Sequence, residues 1–427
     1  MRRRFDVVVV GAGSAGSSAA ISAARLGAHT LLLDKLPFLG GTSTAVLDTF
    51  YAFYTPGQWP RRVVGGVGWE VAERLKSMGM AFERPNTYGA GTGITYDPEV
   101  LKGLWEELAE EAKVEVLLHT WMTGVEVRSE RAVAIRLWNK GGESHVEADA
   151  LVDASGDADV CAMAGVAYDD AKSTPNLQSV STIFRVANVN VEKASALPKA
   201  ELWAMMRRGA ESGEYTLPRL EGSWHRTPHL GVVTVHMTRI PNVDATDPEQ
   251  LTHAEIEGRR QVREYHRFLR DRVPGFERSV LVATSPAIGV RESRRVIGDY
   301  RLTRDDVLHA RRFEDEVALC GAPIEEHAAG ADTRWTYVPD GGVYGIPYRC
   351  LLPAGTEGLL VAGRCFSATH DAHASARSMA TCMAMGQAAG TAAAVSVASK
   401  TTPRSLPASL LRDCLLEGGV LLDAVVD

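Results

Sequence analysis

Apolar positions fall into three kinds of run along this chain. Residues 5–10 (Phe-Asp-Val-Val-Val-Val) and Leu31-Leu32-Leu33 are short and nearly unbroken, as expected of strands buried on both faces. Between them, residues 14–25 are rich in alanine and serine and read as a closely packed helix that ends at Gly27. Residues 70–78 and 98–112 show helical spacing, the second with Val100, Leu101, Leu104, Trp105 and Leu108 on one face. From 114 to 138 the pattern turns to β-rich stretches, 114–118 and 132–137, and residues 148–157 form another buried strand ending in Ala154-Ser155-Gly156-Asp157. Farther on, 181–186 and 231–237 read as strands, and 252–269 as a helix whose alternating charges describe a solvated face. A last apolar strand at 359–362 opens into a loop, followed by a long helix rich in alanine and glycine that reaches about residue 399.

The first of these elements carries chemistry. Gly11-Ala12-Gly13-Ser14-Ala15-Gly16 follows a strand and opens a helix, and Asp34 ends the next strand. In that order Gly11 permits a tight turn, Gly13 lets backbone N–H groups approach a pyrophosphate, and Gly16 lets helix and strand pack closely. Asp34 offers acceptors to a ribose 2′-hydroxyl, which disfavours NADP and leaves NAD and FAD. Gly40-Gly41-Thr42-Ser43-Thr44 then reads either as a surface turn or as a backbone that passes a flat ligand with hydroxyls on its polar edge.

Composition narrows the classes. With 427 residues the chain suits two or three sub-domains. A net charge of −7 and 23% charged residues give no long-range attraction to nucleic acid or anionic lipid, so neither is expected as a partner. The six cysteines (161, 320, 350, 365, 382 and 414) form no CxxC pair, which argues against a zinc or iron–sulfur site and for reduced thiols in a cytoplasmic setting. The apolar stretch 376–399 is small-residue-rich and interrupted by Arg377 and Gln387, so it reads as a buried helix rather than a membrane span.

The β-meander after the second long helix, and the return at Ala154-Ser155-Gly156, resemble the FAD domains of glutathione-reductase-like flavoproteins. By that resemblance the backbone at 122–125, with Met122, lies near the adenine, and Ala154, Ser155 and Gly156 line the pyrophosphate. The further motifs IGVRESRRVIGDY (288–300), YGIPYRCLLP (344–353) and VAGRCFSATHDAHASARSMATCMAMGQAAG (361–390) extend the likeness over residues 5–398. Together they resemble the FAD-dependent oxidoreductase family often called FAD-oxidored. The family implies an α/β fold: a Rossmann-like FAD-binding domain with an inserted β-meander (1–165 and 341–400), an α+β substrate or cap domain (166–340), and a tail, 401–427, packed on the FAD domain. It implies FAD contacts at Gly11, Gly13, Ser14, Gly16, Asp34, Gly41, Thr42, Thr44, Gly156, Gly363 and Arg364, with Met379 and Ala380 near the pyrimidine edge. Ala12, Ala15, Lys35, Gly40, Ser43 and Asp157 complete the expected cofactor set.

The expected activity is hydride or electron transfer between flavin and a small organic substrate, an anionic one among the options. An RNA-modifying flavoprotein and a flavin subunit that passes electrons to a partner are the alternatives. His370, beside Asp371 and close to His373, is the first acid/base candidate, against a purely capping role. Arg377 is a candidate clamp. Arg291, Arg294 and Arg295 either clamp an anion or form salt bridges, Tyr344 is a candidate pocket wall, and Cys365 is either a redox thiol or a small buried apolar residue.

Overall fold

The computed structural model describes residues 2–86, 91–327, 333–423 and 425. Its central strand, β1 (Arg2–Val10), is followed by helix α1 (Ser14–Arg25) and strand β2 (Thr30–Leu33). β1 pairs in parallel with β2 on one side and with the strand Gly142–Asp153 on the other. Val7–Val10 are the part of β1 flanked on both edges, and cover on both faces buries them all, which is why they show no alternation.

Gly142–Asp153 serves two kinds of pairing at once. Its first half pairs antiparallel with Arg131–Asn139 as the third strand of the meander. Its second half pairs in parallel with Leu359–Val361. The sequence pattern marks only the apolar second half, because His145 and Glu147 sit in the solvent-side meander. The complete sheet runs Glu115–Leu117, β2, β1, Gly142–Asp153, Arg131–Asn139, Trp121–Arg128, with Leu359–Val361 joined at the side.

The long apolar helix is Met379–Ala398, separated from a shorter one, His370–Ala376, by a break at Arg377 and Ser378. It crosses α1 at very short range: a Cβ on Gly386 would lie 2.1 Å from the Ala15 carbonyl oxygen, and one on Gly390 would lie 2.0 Å from that of Ala19. The small residues of both helices are thus the contact itself. Among the described residues, no helix is long and apolar enough to cross a membrane.

A second core lies in an antiparallel sheet ordered Ser223–Arg226, Val233–His236, Phe184–Ala187, Val280–Thr284. Helix Pro248–Arg272, capped by Asp247, packs there with Lys199–Glu211 through Met206, Val262, Tyr265 and Phe268. This core draws on residues between Phe184 and Phe276. Val296, Leu302, Val307, Leu319 and Val338 instead join the first core, and Glu316–Cys320 pairs with Tyr344–Pro347. The span 166–340 expected for the substrate domain thus contributes to both cores and to two smaller clusters, one of Val180, Ile240, Val243, Ala254 and Ile288 and one of Ile183 with Ala45 and Val46. The tail helix Ala408–Glu417 packs on the first core through Leu411 and Leu415.

Candidate functional site

The glycine loop after β1 divides its labour by position. Gly11 has φ +95°, and a Cβ there would lie 2.4 Å from the Ala154 carbonyl oxygen. At Gly16 a Cβ would lie 1.7 Å from the Gly11 carbonyl oxygen. Both are packing positions. Gly13 differs: a Cβ there meets nothing within 4 Å, and the residue lines a cavity of about 530 Å³. The loop thus leaves open a space that any side chain at Gly13 would enter, beside the N-terminus of α1, where free N–H groups and the helix dipole favour an anion.

Asp34 holds this loop in place. Its Oδ2 accepts from the Ala12 N–H at 2.6 Å and its Oδ1 from the Leu36 N–H at 2.8 Å. Burial pushes its carboxyl up, against those hydrogen bonds. It lines the cavity together with Lys35 and Trp121, whose indole lies under the Lys35 ammonium at 5.4 Å. Trp121, rather than the expected Met122, faces the cavity, because neighbouring strand residues point to opposite sides.

Farther along, the cavity is lined by Ala154, Ser155, Gly156, Asp157, Gly363 and Arg364. The buried Asp153 shapes the first turn by accepting from the Ser155 N–H and Oγ and from the Cys161 N–H. Asp157 accepts from Ser293 Oγ at 2.7 Å and from Arg364 at 3.1 Å. Burial disfavours its charge, yet Arg364, Ser293 and Lys35 together outweigh it and hold the carboxyl below the usual range. Gly41 and Thr42 line the cavity too, whereas Ser43 Oγ turns onto the Gly40 carbonyl and Thr44 Oγ1 onto that of Leu39. Those two hydroxyls hold the start of a short helix, Thr42–Ala45, and neither residue lines the cavity. Gly40 supports the loop from behind through its N–H to the Ala12 carbonyl, and Met379 lines the cavity while Ala380 does not.

Of the expected acid/base, clamp and wall residues, Arg291 and Arg377 line the cavity; His370, His373, Arg294, Arg295 and Tyr344 do not. His370 Nδ1 sits 2.9 Å from both oxygens of Glu292, which is also paired with Arg295. The first turn of its helix points back at the 291–296 segment, so this imidazole ties two parts of the fold together. His373 bonds the Arg364 carbonyl through Nε2 at 3.0 Å and stacks on Phe366; burial pushes its pKa down to about 3, so the ring is neutral. Arg294 pairs with Asp159 and donates to the Asp157 carbonyl. The Tyr344 hydroxyl is buried against Ser375 Oγ at 2.6 Å. Cys365 is buried too, its sulfur accepting from the Ala158 N–H, and burial pushes its thiol well up. It is a packing residue.

Other side chains complete the cavity. Arg291, Arg219, His236, Glu325, His327 and Tyr51 line it, and apart from Arg291 they carry no motif. His236 alone had a legible signal: in a strand whose Val233 and Val235 enter the core, Thr234 and His236 must share the opposite face. Both converge on the wholly buried Asp48. This carboxylate accepts from Thr234 Oγ1 and from His225 Nε2 at 2.9 Å, and His236 Nε2 lies 3.9 Å away. Burial opposes its ionisation, but the two histidines outweigh it and hold Asp48 well below the usual carboxylate range. Burial also pushes His236 down to about 4, leaving a neutral imidazole. The donor atoms of Asp48, His225 and His236 lie within 4.8 Å of one another, but the charges of Arg84 and Arg185 oppose a cation there. Asp48, His225 and Thr234 form a hydrogen-bonded network, and the His236 ring lies beside it without a hydrogen bond to it.

A model of the family described as FAD dependent oxidoreductase matches residues 6–415. A probable fumarate reductase Ifc3 of Shewanella frigidimarina (strain NCIMB 400) is 40% identical over 71 residues, 17% of this chain and 12% of that protein. A fumarate reductase (cytochrome) of Shewanella frigidimarina is 43% identical over 58 residues, 14% of this chain and 10% of that one. The matches therefore span about a tenth of those relatives' length. Among solved structures, a geranylgeranyl bacteriochlorophyll reductase-like protein from Thermoplasma acidophilum aligns over 98% of this chain and 84% of its own, with TM-score 0.48 and 13% identity. The p-nitrophenol 4-monooxygenase PnpA of Pseudomonas putida DLL-E4 aligns over 98% and 85%, with TM-score 0.49 and 11% identity.

Proposed function

This chain belongs to the FAD dependent oxidoreductase family and uses FAD, and on that premise we propose that it transfers a hydride or electrons between FAD and a small organic substrate held beneath the cap. One observation carries the reading: a single cavity is lined from one side by the glycine loops and from the other by cap residues Ser181, Ile183, His236 and Arg291. Cofactor and substrate would share that space.

The space beside Gly13 fits the cofactor's pyrophosphate, with the N-terminus of α1 and Arg364 at its sides and Asp34 toward the ribose. When bound, FAD supplies the two-electron chemistry. The protein's task is to bind, to exclude water and to manage a proton. His236 takes the last role in place of His370: its neutral ring lines the substrate side and has the Asp48 carboxylate behind it to stabilise the imidazolium.

The test is a visible spectrum of the purified protein, followed by anaerobic addition of candidate substrates. A yellow protein bleached by a reduced organic compound is the expected outcome. Material that is colourless and takes up no added FAD overturns the reading; bleaching by NADH or NADPH alone assigns the reverse direction.

A further inference from the structure

Two guanidinium groups face the cavity with no carboxylate in salt-bridge contact among the described residues. Arg291 donates through Nη1 to the Ser179 carbonyl at 2.7 Å and to Ser181 Oγ at 2.9 Å. Among the described residues nothing accepts from its Nη2. Arg377 makes one long bond, Nη2 to the Glu325 carbonyl at 3.4 Å, and its buried Nε has no partner among the described residues. Neither guanidinium has a carboxylate within 4.0 Å among those residues.

Arg377 and Arg291 repel each other, and the carboxylates that act on them do so from beyond salt-bridge distance: Glu325 on both, itself engaged through Oε1 by His327 at 2.8 Å, and Glu292 on Arg377. Burial and the neighbouring Arg377 push Arg291 down to about 9, and burial also lowers Arg377. Burial drives His327 down to about 3, so it adds no charge of its own. A desolvated surplus of cations costs free energy that a bound anion would recover, and planar forks with free N–H groups match an oxygen pair.

We propose that Arg291 and Arg377 form an oxoanion subsite, so that the substrate carries a carboxylate or phosphate group. This deepens the proposed function and rests on it. Arg294 and Arg295, from the same motif, are spent on Asp159, Glu292 and Asp169 and take no part.

The FAD-loaded protein is titrated calorimetrically with malonate, with inorganic phosphate and with the neutral malonamide. One-to-one binding of an anion but not of malonamide is expected, and the tighter of the two anions identifies the group. Arg291→Gln and Arg377→Gln should each weaken that binding roughly ten- to hundredfold with FAD retained, and Arg377→Lys should weaken it less. Absence of saturable anion binding, or affinities unchanged in both glutamine variants, overturns the subsite. Loss of FAD from those variants also overturns it, since the arginines would then belong to the cofactor's own site. In either case a yellow, reducible wild-type protein leaves the flavin reading standing.

Discussion

Gly13→Val and Gly16→Val should fail in different ways, although they lie three positions apart. At position 16 the first added carbon meets the Gly11 carbonyl at 1.7 Å, so folding should suffer by roughly 3 kcal/mol or more, seen as a lowered melting temperature and poor soluble yield. At position 13 the added carbons enter open space, so the FAD-free protein should melt within about 1 kcal/mol of wild type while visible absorbance from bound flavin is lost. A yellow Gly13→Val protein at full occupancy would move the cofactor away from this loop. The division of roles is legible in the sequence because each role is local: a turn, an approach and a helix contact, all within six residues. His370 is the opposite case. Its neighbours in sequence mark the right loop, but which way one side chain turns at the start of a helix depends on Glu292, 78 positions away.

Glycines inside helices separate packing from propensity at the scale of elements. Gly390 sits in Met379–Ala398 with α1 against it, whereas Gly103 sits in Pro98–Glu111, where an added methyl would meet nothing within 4 Å. Gly390→Ala should therefore destabilise by roughly 2–3 kcal/mol, because the Ala19 carbonyl is backbone and must move. Gly103→Ala should stabilise by about 0.5–1 kcal/mol, the ordinary gain in helix propensity. Thermal melts of the two variants test the pair, and a stabilised Gly390→Ala would mean that the two helices do not cross as closely as described. The periodicities locate these helices to within a few residues. They miss the first half of Gly142–Asp153, whose polar residues pair in the meander while its apolar half enters the parallel sheet.

For the whole molecule, buried histidines set the response to acid. His327 and His373 have pKa values pushed from an ordinary 6.5 down to about 3 by burial. Unfolded, each binds a proton below about pH 6.5; folded, each refuses it. Their stabilisation is complete above that pH and is lost as pH falls toward 3, at about 1.4 kcal/mol per pH unit for each. Calorimetry should show the melting temperature declining from pH 7 to pH 5, and His373→Gln should flatten part of that slope. A pH-independent melt would mean that these rings are solvated. What the amino-acid order determined by itself was the flavin-binding half: a strand, a glycine turn, a helix and an acid are contiguous, so local sterics and hydrogen bonding specify them. The opposite wall of the cavity was decided only in three dimensions. His236, Arg291, Glu325 and Arg377 come from four distant stretches, and only tertiary packing brings them into one cavity, because no local contact along the chain links them.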